Sequence, residues 1–230
     1  MLIHGGNGRM GQSLQRLSRD DARCVVTGAV SRKVGPRVVD GVPQFACSEL
    51  AGVPDFDVAI DFSLPEGFDA ILALCQARGK PLVSGTTGLS PQQLAALDVA
   101  ATRIPIAWAS NFSLGVALLH DLVARAAQAL PGWDCDILES HHTRKQDAPS
   151  GTALTLGAAA AERGATPHYA SIRAGDIIGE HAVQFTTAGE RVELIHRAGN
   201  RDIFAHGALH VAKALSGRAP GRYAVADLLG

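Results

Sequence analysis

The stretch Leu2-Ile3-His4-Gly5-Gly6-Asn7-Gly8-Arg9-Met10-Gly11 decides the reading of the fold. A short apolar run enters a glycine-rich turn, and the turn opens a segment with Met10, Leu14 and Leu17 at helical spacing. Glycines at 5, 8 and 11 follow the pattern G-x-x-G-x-x-G. The first allows a tight turn, the second a close approach of backbone to a pyrophosphate, and the third close packing of helix on strand. The helix start then offers N–H groups and partial positive charge to phosphates. Asn7 stands where the G-x-G-x-x-G form has its middle glycine, so a glycine-rich turn without a ligand is the alternative reading of the motif taken alone. His4 is polar at a position where such a strand expects an apolar residue.

Outward from this turn, apolar runs and amphipathic stretches alternate. Strands are predicted over 2–4, 24–30, 57–62, 81–84 and 104–109, with helices over 11–19, 66–78 and 91–101. That alternation implies βαβ units and a parallel sheet. The pattern then changes. Helices are expected over 114–130 and 152–163, and strands over 134–140, 169–173, 182–187 and 191–195, the last two joined at Ala188-Gly189. A last helix over 202–215 and a tail over 223–229 are expected to return to the first domain. The fold class is α/β: a Rossmann-type parallel sheet domain (1–112, completed by 202–230) plus a smaller α+β domain over 113–201.

The bulk numbers bound the function. The chain has 230 residues, of which 47% are hydrophobic and 19% charged, with a net charge of −1. A near-neutral balance gives no long-range pull toward nucleic acid or an anionic membrane. No run is long enough to span a bilayer, and no leader pattern precedes Leu2. Cys24, Cys47, Cys75 and Cys135 form no CxxC pair, so they read as small core residues of a protein in a reducing cytoplasm.

Cofactor choice is read at the end of the second strand, where NAD-selective sites place an acid on the ribose 2′-hydroxyl. This chain has Ser31-Arg32-Lys33 there and no carboxylate. Arg32, Lys33 and Arg9 offer cations to a 2′-phosphate, which favours NADPH and leaves NADH as the second option. An ordinary solvated turn is the alternative.

The richest segment is Glu139-Ser140-His141-His142-Thr143-Arg144-Lys145-Gln146-Asp147-Ala148-Pro149-Ser150-Gly151-Thr152-Ala153. It sets two histidines, an arginine and a lysine ahead of Ser-Gly-Thr at a helix start. Such a start caps the helix and also receives an anion. The arrangement suits a carboxylate-bearing substrate, with histidine or lysine giving a proton as hydride arrives. A solvated basic loop before a capped helix is the plainer reading. No metal site is expected: adjacent histidines diverge and no third ligand is near. His206 and His210 share a helix face but lack the Glu of an HExxH motif, so they read as structural or surface residues.

Together these motifs resemble the dihydrodipicolinate (4-hydroxy-tetrahydrodipicolinate) reductase family. Residues 139–153 are similar to its signature E-x-H-H-x-x-K-x-D-A-P-S-G-T-A, and Gly8-Arg9-Met10-Gly11, Asp61-Phe62-Ser63, Gly85-Thr86-Thr87-Gly88, Asn111-Phe112-Ser113 and the stretch 171–181 match as well. The resemblance implies a homotetramer built through the second domain's sheet. It implies reduction of a cyclic imine dicarboxylate by NADPH or NADH in the diaminopimelate route to lysine. By the same resemblance His141 is the proton donor and Lys145 a second one, while His142, Gly151 and Thr152 bind substrate carboxylates. Gly5, Gly6, Asn7, Gly8, Arg9, Met10, Gly85, Thr86, Thr87, Ala109, Ser110, Asn111 and Phe112 then line the cofactor, beside Ser31 and Arg32. Many relatives carry Glu or Asp where Ser31 stands. Two other readings stay open: an amino-acid dehydrogenase on the same cofactor domain, and a non-catalytic dinucleotide-binding regulator.

Overall fold

The computed structural model describes residues 1–33 and 35–230. It divides into two compact units, 1–112 with 204–230 and 113–203.

The first unit is built on an eight-stranded sheet in the order β12-β7-β6-β5-β1-β2-β4-β3. Its strands are β1 (Leu2–His4), β2 (Gly28–Ser31), β3 (Val38–Val39), β4 (Val42–Ala46), β5 (Ala59–Asp61), β6 (Leu82–Ser84), β7 (Pro105–Trp108) and β12 (Gly221–Arg222). All pairings are parallel except β3 on β4. The crossovers carry α1 (Arg9–Leu17), α2 (Pro65–Arg78) and α3 (Pro91–Ala101). Pro65 and Pro91 open their helices at positions where a missing N–H costs nothing. Leu2, Val30, Ala59, Leu82 and Ile106 from the strands pack with Phe68, Ile71 and Leu97 from the helices in one buried core. This is the Rossmann-type arrangement expected from the alternation.

Two local differences have clear causes. The second strand was expected from residue 24, but it begins at Gly28, the partner of Leu2. β1 is only three residues long, so residues 24–27 lie beyond its end and Val25 is exposed. The β3–β4 hairpin lies in a stretch that the periodicity reading passed over. Its turn is Asp40-Gly41, with φ of 50° and 81°, the left-handed pair that an Asp-Gly dipeptide favours.

The second unit holds a four-stranded sheet in the order β11-β10-β8-β9. Its strands are β8 (Asp134–His141), β9 (Pro167–Arg173), β10 (Glu180–Thr187) and β11 (Glu190–Arg197), with α4 (Leu114–Ala129) and α5 (Gly151–Ala161). β10 runs antiparallel to both neighbours, and β9 is parallel to β8. Period-two alternation sends Cys135, Ile137, Val183 and Phe185 against Leu119, Val123 and Leu156 of the helices. The opposite face carries the row Ile195, Ala182, Leu138 and Ala170, beside Ile172. Ile172 and Ile195 are 51% and 44% exposed. The last helix, α6 (Asp202–Leu215), leads the chain back into the first unit.

Candidate active site

In the first unit the glycine turn joins β1 to α1. Gly5 has φ +85°, and a Cβ there would stand 2.5 Å from the Phe62 carbonyl oxygen. A Cβ on Gly11 would meet the Gly5 carbonyl oxygen at 2.3 Å, so the turn folds directly back on the helix. α1 starts at Arg9, with Gly8 as an N-cap that has no side chain to offer and with no acidic residue in the first turn. Beside it lies a cavity of about 520 Å³, lined by the turn, by Ser31, Arg32 and Lys33, and by 62–64. A backbone cradle that side chains would fill, an uncapped helix start and two cations fit a dinucleotide. Ser31 faces this cavity but is spoken for, because its Oγ accepts the Asn7 N–H at 2.9 Å. Arg9 is exposed and does not line the cavity, so the convergence of Arg9 with Arg32 and Lys33 expected from the sequence is not seen.

Below the turn is a polar layer that explains His4. Its Nδ1 lies 2.8 Å from Asp61 Oδ1, and both side chains are shut off from solvent. Asp61 also accepts the Ser63 N–H and the hydroxyls of Ser84 and Thr86. Burial alone would raise this carboxyl, but His4, Ser63 and Thr86 outweigh it and hold it below the usual carboxylate range. Thr86 therefore turns its hydroxyl into the protein, and Thr87 is the exposed residue of the Gly85-Thr86-Thr87 turn. Phe112 is buried with its ring edge-on to Phe62 at 5.6 Å, which makes it a packing residue of the first unit. Ala109 and Asn111 are half-buried and Ser110 is exposed. Cys47, expected in the core, is half-buried with Sγ 3.8 Å from His4 Nε2.

In the second unit, β8 places Glu139 and His141 two residues apart and hence on one face. His141 Nδ1 lies 2.5 Å from Glu139 Oε2. Arg173, opposite His141 on β9, binds both oxygens of Glu139 at 2.9 and 2.7 Å. The Ser150 N–H reaches Glu139 Oε1 at 3.3 Å. Burial opposes charge on Glu139, yet Arg173, Ser171 and His141 hold its carboxyl at about 2. His141 is lowered by burial, partly offset by Glu139. His181 and His196 continue the row, with ring centroids 5.2 Å from His141 to His181 and 6.5 Å from His181 to His196. Burial and the neighbouring His141 and His196 push His181 down to about 4. α5 begins at Gly151, and its cap Ser150 accepts the Ala153 N–H and lies 3.3 Å from His181 Nε2. An anion at the first turn of α5 would thus lie beside the imidazole row.

The loop cations divide. Lys145 Nζ lies 2.8 Å from Asp147, so its nearest charged neighbour is an acid. Arg144 pairs with Asp176 and points to solvent. His142 Nε2 lies 3.4 Å from Arg201, and its buried Nδ1 has no hydrogen-bond partner among the described residues. Sequence reading missed Arg173, His181 and His196. The signal was strand parity: each falls on the same inward register as Glu139 or His141. His210 is structural, its Nε2 bonded to the Leu228 carbonyl, and His206 is exposed. Among the described residues no cluster of three metal-ligating side chains occurs.

Comparison with known proteins settles the family. The description "Dihydrodipicolinate reductase, N-terminus" matches residues 1–112, and "Dihydrodipicolinate reductase, C-terminus" matches 115–229. The chain belongs to the dihydrodipicolinate reductase family. It is 68% identical to a 4-hydroxy-tetrahydrodipicolinate reductase of Stenotrophomonas maltophilia over 100% of this chain and 97% of that protein. The enzyme of the same name from Xylella fastidiosa is 63% identical, covering 100% and 98%. Among solved structures, a dipicolinate-bound dihydrodipicolinate reductase from Paenisporosarcina sp. TG-14 superposes with TM-score 0.81 at 24% identity, over 97% of this chain and 96% of that one. A diaminopimelate dehydrogenase of C. glutamicum shares the fold at TM-score 0.64 and 14% identity, over 100% and 95%. As a member of the dihydrodipicolinate reductase family the chain is an oxidoreductase that uses a pyridine nucleotide.

Proposed function

We propose that this dihydrodipicolinate reductase family member works with His141 as its proton donor, on a dicarboxylate held at the start of α5, and with NADPH as its preferred reductant. The reaction is reduction of 4-hydroxy-tetrahydrodipicolinate, by way of dihydrodipicolinate, to tetrahydrodipicolinate in diaminopimelate and lysine biosynthesis. The carrying observation is His141 set by a buried carboxylate immediately beside the anion-receptive start of α5. The nicotinamide supplies the hydride. His141 gives a proton at Nε2, because Nδ1 is committed to Glu139. Gly151 and Thr152 at the helix start receive one substrate carboxylate, with the His142 ring as a further hydrogen-bonding partner and the Lys145 ammonium nearby. Lys145 serves as second proton donor once substrate competes with Asp147 for its ammonium.

The first unit serves as the dinucleotide domain and the second as the substrate domain. Arg32 and Lys33 at the cavity favour the 2′-phosphate of NADPH, with NADH as the weaker reductant. The outer face of the second sheet, with Ile172 and Ile195 exposed, suits a homotetramer. Among the described residues no helix is long and apolar enough to cross a membrane. Four unpaired cysteines and a biosynthetic reaction suit the cytoplasm.

The test is oxidation of NADPH, then NADH, by the purified protein, with substrate made in place from pyruvate and aspartate semialdehyde by the preceding synthase. Turnover that falls about 10²- to 10⁴-fold in His141→Gln supports the reading. Tight NADPH binding without oxidation would sink it.

A further inference from the structure

Glu139 accepts from both arms of Arg173 and from the Ser150 N–H and meets the His141 ring, and the proton-donor assignment alone gives it no task. It is fully buried, clamped by the planar fork of Arg173 and by the Ser150 N–H. A buried ion pair is a weak source of stability, since apolar residues of the same volume do as well. Its geometry is informative instead. The carboxylate is ionised, so it has no hydrogen to give, and the hydrogen between it and His141 Nδ1 belongs to the imidazole. Nε2 is then the one ring nitrogen left to gain or lose a proton. It faces Gly179, where a Cβ would stand 3.0 Å away, so bare backbone keeps that nitrogen uncrowded.

Arg173 does two further things. Its Nη2 donates to the Asp147 carbonyl, and Asp147 in turn holds Lys145. The carboxylate of Glu139 therefore ties together the His141 ring, the start of α5 and the loop of Lys145. The fork also neutralises Glu139. Without it, a bare carboxylate would sit against the imidazole and keep it charged. The charged or titratable groups that face His141 are Glu139 from its own strand, Arg173 from β9, His181 from β10 and Lys145 from the loop.

We propose that Glu139 and Arg173 are a paired positioning device: Glu139 fixes the His141 ring with Nε2 as its working nitrogen, and Arg173 cancels enough of Glu139's charge for that nitrogen to release its proton. This rests on the proton-donor reading of His141. It predicts opposite effects from two substitutions in one pair. Glu139→Gln removes the negative neighbour, so His141 loses its proton at lower pH. Arg173→Gln leaves Glu139 unbalanced, so His141 holds its proton to higher pH. A loss of packing alone would not move the two in opposite directions.

The experiment is ¹⁵N NMR of histidine-labelled full-length protein, titrated with pH, together with the pH profile of kcat for wild type, Glu139→Gln, Arg173→Gln and Arg173→Lys. Far-UV circular dichroism matching the wild type serves as the folding control, since NADPH affinity belongs to the first unit and does not report on the second. Expected are an Nδ1-protonated neutral His141 in the wild type and midpoints displaced by about one pH unit in opposite directions. Arg173→Lys should bring the midpoint back toward the wild type, and kcat should fall at least tenfold in Glu139→Gln with KM little changed. An Nε2-protonated wild-type ring, or midpoints that move the same way or not at all, would overturn the proposal. Should Glu139→Gln fail to fold, the wild-type tautomer and the Arg173 pair of variants still decide it. A wild type that binds NADPH but does not turn over defeats the proton-donor reading, while the NMR midpoints continue to report on the positioning device.

Discussion

His4 and Asp61 are register partners on adjacent parallel strands, and their side chains meet at 2.8 Å in a layer without solvent. Ser84 is the next partner along the same row, so one carboxylate spans the carboxyl ends of β1, β5 and β6. These ends carry the glycine turn, the segment 62–64 and the Gly85-Thr86-Thr87 turn.

Asp61→Ala should cost the first unit about 3–5 kcal/mol, because it strands His4 and two hydroxyls in a dry site. Urea unfolding followed by tryptophan fluorescence measures this. A loss under 1 kcal/mol would show that the layer is incidental.

Gly11→Ala puts a methyl group 2.3 Å from the Gly5 carbonyl oxygen, which only a shifted turn relieves. NADPH affinity should drop at least tenfold, about 1.4 kcal/mol, by fluorescence titration. Unchanged affinity would mean that the turn does not hold the pyrophosphate.

Arg32→Ala should raise KM for NADPH about tenfold while leaving that for NADH nearly unchanged, since only the former carries the 2′-phosphate. Steady-state kinetics with both reductants decides. Equal losses would place Arg32 elsewhere on the nucleotide.

The imidazole row makes the second unit sensitive to acid. His181 moves from 6.5 to about 4 on folding, so the unfolded chain takes up its proton first. Its contribution is whole above about pH 6.5 and is lost as the pH falls toward 4. The loss is on the order of 3 kcal/mol, at about 1.4 kcal/mol per tenfold change in proton affinity. His141 and His196 are lowered too and act in the same direction. Urea midpoints between pH 7.5 and 4 should therefore fall more steeply for the wild type than for His181→Gln, and parallel curves would refute the assignment.

The proposed homotetramer predicts that Ile172→Glu with Ile195→Glu gives smaller species than the wild type, read by light scattering after size-exclusion chromatography. Both residues lie on the outer face of the second sheet, where charges oppose apolar association. An unaltered mass would put the assembly surface elsewhere.

The alternation of apolar runs around Gly5, Gly8 and Gly11 was enough to read a parallel βαβ domain, because strand and helix periods are local properties. The long motif from Glu139 to Ala153 likewise pointed to the family, since it sets two histidines and a lysine ahead of a capped helix start in one stretch. What needed tertiary structure were the partnerships across strands. His4 looked misplaced until Asp61, 57 residues away, stood opposite it. Arg173 and His181 join His141 only because β9 and β10 flank β8 in that register. Lys145 drew an acid for its neighbour, and Arg144 left for Asp176. Local sequence carries periodicity and turn chemistry, whereas the charge of a buried group depends on what the fold brings within about 3 Å of it.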